Sequence, residues 1–176
     1  MKAFNHYSIP LKGIIDGANQ FEFKIDKEFF NNFENSIVED GSFLVKVDLI
    51  KQPDSMFLTF HIDGTMKASC DRCLVDIDLP VNGMYDLVAK FAIEASETDE
   101  VIYLVQDQQE IDLQKPIYDF IGLSIPLVKT YSCEDEDPRV CDTAMLDKIE
   151  GNKAAPEDEP KSSPIWDALK DFGKDN

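Results

Sequence analysis

The sequence predicts an α+β fold: an antiparallel β-meander or partly closed barrel with two or three packed helices and a flexible acidic C-terminal tail. Three observations lead there. Between residues 43 and 91 apolar and polar residues alternate with period two, over a run too long for one strand. Two other stretches, after Asp26 and after Leu113, space their apolar residues at helical intervals. From Thr130 the character changes: Cys133 to Cys141 is an acidic loop, and Gly151 to Ser162 is so rich in prolines and charges that it cannot bury enough apolar surface to order itself.

Taken in order, Tyr7, Ile9 and Leu11 are followed by Phe21, Phe23 and Ile25, with Asp16-Gly17-Ala18-Asn19 between them. Turn residues between two alternating runs predict a pair of strands joined to each other. Asp26 then stands before Phe29, Phe30, Phe33 and Ile37, which predicts a helix with Asp26 as its N-cap and Gly41 as its stop. Phe43, Val45, Val47 and Leu49 open the meander, Pro53-Asp54-Ser55 turns it, and Phe57 to Cys70 continues it, with Gly64 read as a bulge. Leu74 to Leu79 and Met84 to Phe91 complete the alternation, and Val101 to Val105 reads as a short further strand. Ile117, Phe120 and Ile121 define a second helix, which holds Pro116 in its first turn, ends at Pro126 and covers one side of the sheet. Asp142 to Ile149 predicts a short helix. Ser163-Pro164 pairs a good cap with a good first helical residue ahead of Ile165, Trp166, Leu169 and Phe172. The resulting division is a β-rich domain over 1–130, a cysteine-bearing acidic segment over 131–150, a disordered linker over 151–162 and a terminal amphipathic helix over 163–176. Docking of that helix back onto the domain is the favoured arrangement, with docking onto a partner as the alternative.

A chain of 176 residues with 43% hydrophobic content can bury about 70% of its unfolded surface, so neither metal nor disulfide is needed for folding on grounds of size. The net charge is −18, from 35 acidic and 17 basic residues. Its distribution is uneven: Glu94 to Asp119 holds eight acids and one lysine, and Cys133 to Asn176 thirteen acids and six bases. Such a surface repels phosphate, so direct RNA binding and attachment to an anionic membrane are not expected. It suits a basic protein partner, and Glu94, Glu97, Asp99 and Glu100 are the expected attractive surface, with Arg72, Trp166 and Leu169 as further partner contacts. The alternative is that the acids serve solubility alone. The first residues lack an apolar signal region and no run reaches the length of a membrane span, which predicts a cytoplasmic protein.

The chain has four cysteines, in two pairs: Cys70 with Cys73, and Cys133 with Cys141. Four thiolates suit tetrahedral zinc, and a Cys-x-x-Cys turn between strands is a good half-site. The second pair is separated by seven residues, where two to four are usual, and four acids lie between. Zinc on Cys70, Cys73, Cys133 and Cys141 is therefore a candidate cofactor, and a zinc-stabilised interaction module a candidate function. A thiol redox protein is a third reading, weakened because the turn is flanked by strands rather than opening a helix, whose dipole would lower a thiol pKa. No phosphate-binding glycine loop and no nucleophile elbow is present, His6 and His61 are isolated, and His61 alternates with Phe60 and Ile62 as a solvent-facing strand residue. An enzyme is not expected.

The order of features nonetheless resembles a known family. Cys70-Asp-Arg-Cys73-Leu after a strand, an acidic loop, Ile111-Asp112-Leu113 with its helix through Leu123-Ser-Ile-Pro126, a cysteine-bearing loop and a closing Pro164-Ile-Trp166-Asp-Ala-Leu169 together resemble the YceD family, described as large ribosomal RNA subunit accumulation proteins. The resemblance runs from about residue 40 to the end and rests on the order of short motifs. It implies a cytoplasmic, non-catalytic part in making or preserving large-subunit ribosomal RNA. The Cys-x-Arg-Cys signature shared by many relatives falls on Cys70, Arg72 and Cys73, while the closing cysteine pair is more variable. Joined to the charge, the resemblance implies binding of a basic protein, such as a large-subunit ribosomal protein, before assembly.

Overall fold

Six strands form one sheet. In a computed structural model, which describes residues 7–92, 96–97, 101–105, 108–130 and 141–151, these are β2 (Gly17–Ile25), β3 (Gly41–Lys51), β4 (Ser55–Ser69), β5 (Asp76–Ala92), β6 (Ser96–Glu97) and β7 (Val101–Val105). Their spatial order is β2-β3-β4-β5-β7-β6. The antiparallel meander is present in β2 to β5, in unbroken register from Ile25↔Phe43 to Ser55↔Lys90. Beyond it the sheet is mixed: the chain passes from β5 to the outermost strand β6 and returns through β7, which lies parallel to β5 and antiparallel to β6.

Alternation decides the faces. Phe43, Val45, Val47 and Leu49 of β3, Met56, Leu58, Phe60 and Ile62 of β4, and Ile77, Leu79, Val81 and Leu87 of β5 all point to one buried side. The opposite side carries polar ladders: Gln20 donates to Asp48 at 2.8 Å, Asp48 lies 3.1 Å from the ring of His61, and Thr59 donates to Asp86 at 2.7 Å. The sheet does not close into a barrel. Its apolar face is covered instead by α2 (Gln114–Ser124) and by a separate two-stranded sheet of β1 (Ser8–Pro10) and β8 (Glu110–Asp112). With that face already buried, closure has no further apolar surface to remove from water.

The first strand departs from expectation. β1 pairs with β8, about a hundred residues downstream, through Ile9↔Ile111, rather than with β2. Leu11 N–H donates to Gln109 O at 2.8 Å and Leu113 N–H to Tyr7 O at 2.9 Å, extending the join at both ends. Ile9 and Ile111 are both fully buried, which is the gain that offsets closing so long a loop.

The first helix is also shorter than its spacing predicts. α1 spans Lys27–Phe30, with Asp26 as its cap, its carboxylate accepting from the amides of Glu28 and Phe29. Past Phe30 the chain leaves the helix, and Asn35 adopts a left-handed φ of 55°. The aromatic residues still pack as a group: Phe29 meets Tyr7 edge-on with centroids 4.7 Å apart, and Phe33 stacks on Tyr118 of α2 at 3.9 Å. Ile37 is exposed. Gly64 marks no bulge, since Phe43↔Gly64↔Val81 stays in register. A side chain there would sit 2.4 Å from the carbonyl oxygen of Ser42, so close approach of backbones explains the glycine.

α2 runs as predicted, with Pro116 in its first turn and Ile125 extended ahead of Pro126. Phe120 is the anchor, stacked on Tyr85 at 4.9 Å and edge-on to Phe60 at 5.0 Å. The third helix, α3 (Thr143–Gly151), starts at Asp142, whose carboxylate accepts from Met145 N–H at 3.2 Å, and Met145 and Leu146 pack against the core. Gly151, the first residue of the predicted linker, ends α3; the rest of the linker and the terminal helix lie outside the described residues. No helix among the described residues is long and apolar enough to cross a membrane.

Candidate functional site

The Cys-x-x-Cys turn connects β4 to β5, as the flanking alternation requires. Cys70 N–H donates to Val75 O and Leu74 N–H to Cys70 O, both at 2.8 Å, and Ser69 Oγ donates to Leu74 O at 3.1 Å. Closing the turn puts Leu74 at φ 61°, a left-handed conformation that disfavours a branched L residue, and leaves its side chain 65% exposed. Cys70 and Cys73 point inward and are buried.

Two other segments are fastened to this turn. Asp71 exchanges a pair of bonds with Lys129, its amide donating to Lys129 O at 2.8 Å and its carboxylate accepting from Lys129 N–H at 2.7 Å. Arg72 reaches the residue that leads into α3: its Nη2 lies 3.9 Å from Cys141 Sγ. The turn thus joins the tip of the hairpin, the chain leaving α2 and the chain entering α3. Arg72 is half-buried in this join, and Cys141 is among the residues it touches.

Of the four cysteines considered as zinc ligands, Cys70, Cys73 and Cys141 gather at this join, whereas Cys133 lies outside the described residues. Neither Cys70 nor Cys73 is in a disulfide; Cys141 is engaged in one. Among the described residues no group of three or more His, Cys, Asp or Glu side chains converges to hold a metal ion. The turn is tied to the chain leaving α2 through the two Asp71–Lys129 bonds and to the chain entering α3 through the Arg72–Cys141 contact. Of the expected partner contacts, Glu97 belongs to β6, opposite Ile102, while Glu94, Asp99, Glu100, Trp166 and Leu169 lie outside the described residues.

Charge is the second feature of the surface. Lys67 on the outer face donates to Asp78 at 2.7 Å, and its pKa is raised above the ordinary lysine value by that hydrogen bond first, then by the charges of Asp78, Asp40 and Asp76. On the far side of the sheet, the hydroxyl of Tyr7 is likewise raised, by burial first and then by Asp26 and Glu28. Tyr7 lines an open depression of about 350 Å³ together with Glu22, Phe23, Lys24, Asp26 and Glu28, beside β2. Sequence pattern does not single out this depression. Its residues read as ordinary strand alternation and a helix cap, and the place of β2 at the rim depends on pairings made far along the chain.

With this geometry in hand, comparison with known proteins gives one positive result. The family described as "Large ribosomal RNA subunit accumulation protein YceD" matches residues 58–173, more than half of the chain. That span includes most of β4, the cysteine turn, β5 and α2. No curated protein and no solved structure matches the chain.

Proposed function

The chain belongs to the YceD family, and we propose that it is a non-enzymatic ribosome-biogenesis factor of the cytoplasm that acts by holding a basic protein, such as a large-subunit ribosomal protein. The family's description links it to the accumulation of large-subunit ribosomal RNA. The observation that carries the choice of partner is the charge of −18. A polyanion gains nothing by approaching phosphate, because it has few cations with which to displace the counterions of RNA. It gains most from a polycation of matching shape, which it meets faster and holds in register.

Glu94, Glu97, Asp99, Glu100 and the acids after Cys133 extend the attractive surface. Support for the RNA is then indirect: a basic ribosomal protein shielded before assembly is available when the transcript needs it.

The experiment is co-purification. The full chain, tagged and recovered at low salt from the cytosol of its own cell, is expected to bring down basic large-subunit proteins that are released as salt is raised. Recovery of ribosomal RNA that survives removal of protein contradicts the proposal.

A further inference from the structure

The strand β2 is at one rim of the six-stranded sheet, bonded to β3 on one side only. Nine residues long, it turns the N–H and C=O of every second residue outward. Among the described residues no strand pairs with that outer side. Such an edge is a template for one more strand, and proteins that do not use it commonly cover, shorten or kink it. β2 is regular over its whole length, from Gly17↔Lys51 to Ile25↔Phe43.

The depression beside its C-terminal half adds chemical preference. Glu22, Asp26 and Glu28 face it with Lys24, three carboxylates against one ammonium. One oxygen of Asp26 is occupied by the cap of α1. No ion pair among the described residues engages Glu22 or Glu28. Tyr7 and Phe23 supply an aromatic floor against which the stem of a long cationic side chain can lie.

We infer that β2 is a docking edge for an extended, lysine- or arginine-bearing segment of the partner protein. The segment adds as a further strand through main-chain hydrogen bonds, and places a cationic side chain in the depression between Tyr7, Glu22 and Glu28. This deepens the proposed function and rests on its basic partner. Charge decides the occupant: an acidic segment would meet a net negative lining, and a second copy of this chain would bring another −18 to the contact.

The test uses the full chain and a short peptide alternating lysine with valine, with a glutamate–valine peptide as control, read by amide hydrogen exchange and by fluorescence anisotropy. The lysine peptide is expected to slow exchange within Gly17–Ile25, and the double reversal E22K/E28K to weaken its binding by about tenfold. The milder E22Q/E28Q pair should weaken it less, with an unchanged melting temperature showing that the fold is intact. Equal binding of the glutamate peptide overturns the inference. So does protection of β2 in the protein alone, whether by self-association or by the chain's own first residues. Binding of the lysine peptide without any change at β2 overturns the docking edge but leaves the basic-partner reading standing. Failure of the lysine peptide to bind at low salt overturns both.

Discussion

β4 and β2 belong to the same sheet but differ in what their backbones are bonded to. β4 is held on both sides, by β5 along its whole length and by β3 from Met56 to Met66. Its inward residues Leu58 and Phe60 are fully buried beneath α2. Among the described residues β2 is held on one side, and much of its side-chain surface is open to water. The comparison separates two tasks. Stability is concentrated where main chain and side chain are both satisfied within the molecule. The proposed capacity for a partner lies where, among the described residues, half of the main-chain bonds are left to be made.

The largest effect should therefore come from β4. Phe60→Ala removes a ring that is fully buried against Phe120 and is expected to cost about 3–5 kcal/mol, measured by denaturant unfolding. A loss below 1 kcal/mol would mean that the centre of the sheet is not the stability core. Next comes the boundary of β2. Asp26→Ala deletes the cap of α1 and should cost about 1 kcal/mol, since two amides lose their acceptor. The cysteine turn should respond in the opposite direction. Leu74→Gly relieves the left-handed strain at φ 61°, and after the added entropy of glycine a net gain of about 0.5 kcal/mol is expected. A loss instead would show that the exposed leucine makes a contact worth more than its strain.

The smallest effect is at Tyr7. Its folded pKa lies above the ordinary 10.0, so below that pH both folded and unfolded chains keep the proton. As pH rises past 10.0 the unfolded chain releases it first, and stability falls until the folded pKa is passed. Tyr7→Phe should flatten that part of the stability profile. In absorbance titrations Glu28→Gln should bring the hydroxyl closer to its ordinary value, a direct report on the negative field beside β2.

How far the sequence alone led follows the same division. Strands β3, β4 and β5 were legible because burial on one face imposes period two, and no other pattern places Phe43, Val45, Val47 and Leu49 together. The cysteine turn was legible because it interrupts that pattern. The partner of β1 was not, because neighbouring runs suggest a hairpin and nothing local reveals a strand a hundred residues away. The helix after Asp26 was overextended for a related reason. Phe33 and Ile37 keep helical spacing, yet Phe33 finds its place by stacking on Tyr118 from a loop. The parallel β7 and the open rim at β2 are likewise consequences of strand order, which side-chain alternation does not encode.

The central claim is that charge selects a basic polypeptide over RNA. Its most direct measurement is a pair of titrations of the full chain, one against a purified basic large-subunit ribosomal protein and one against protein-free large-subunit ribosomal RNA, each at low and raised salt. The account predicts salt-sensitive binding of the protein and none of the RNA. Tight binding of the RNA, with no affinity for the protein, would contradict it.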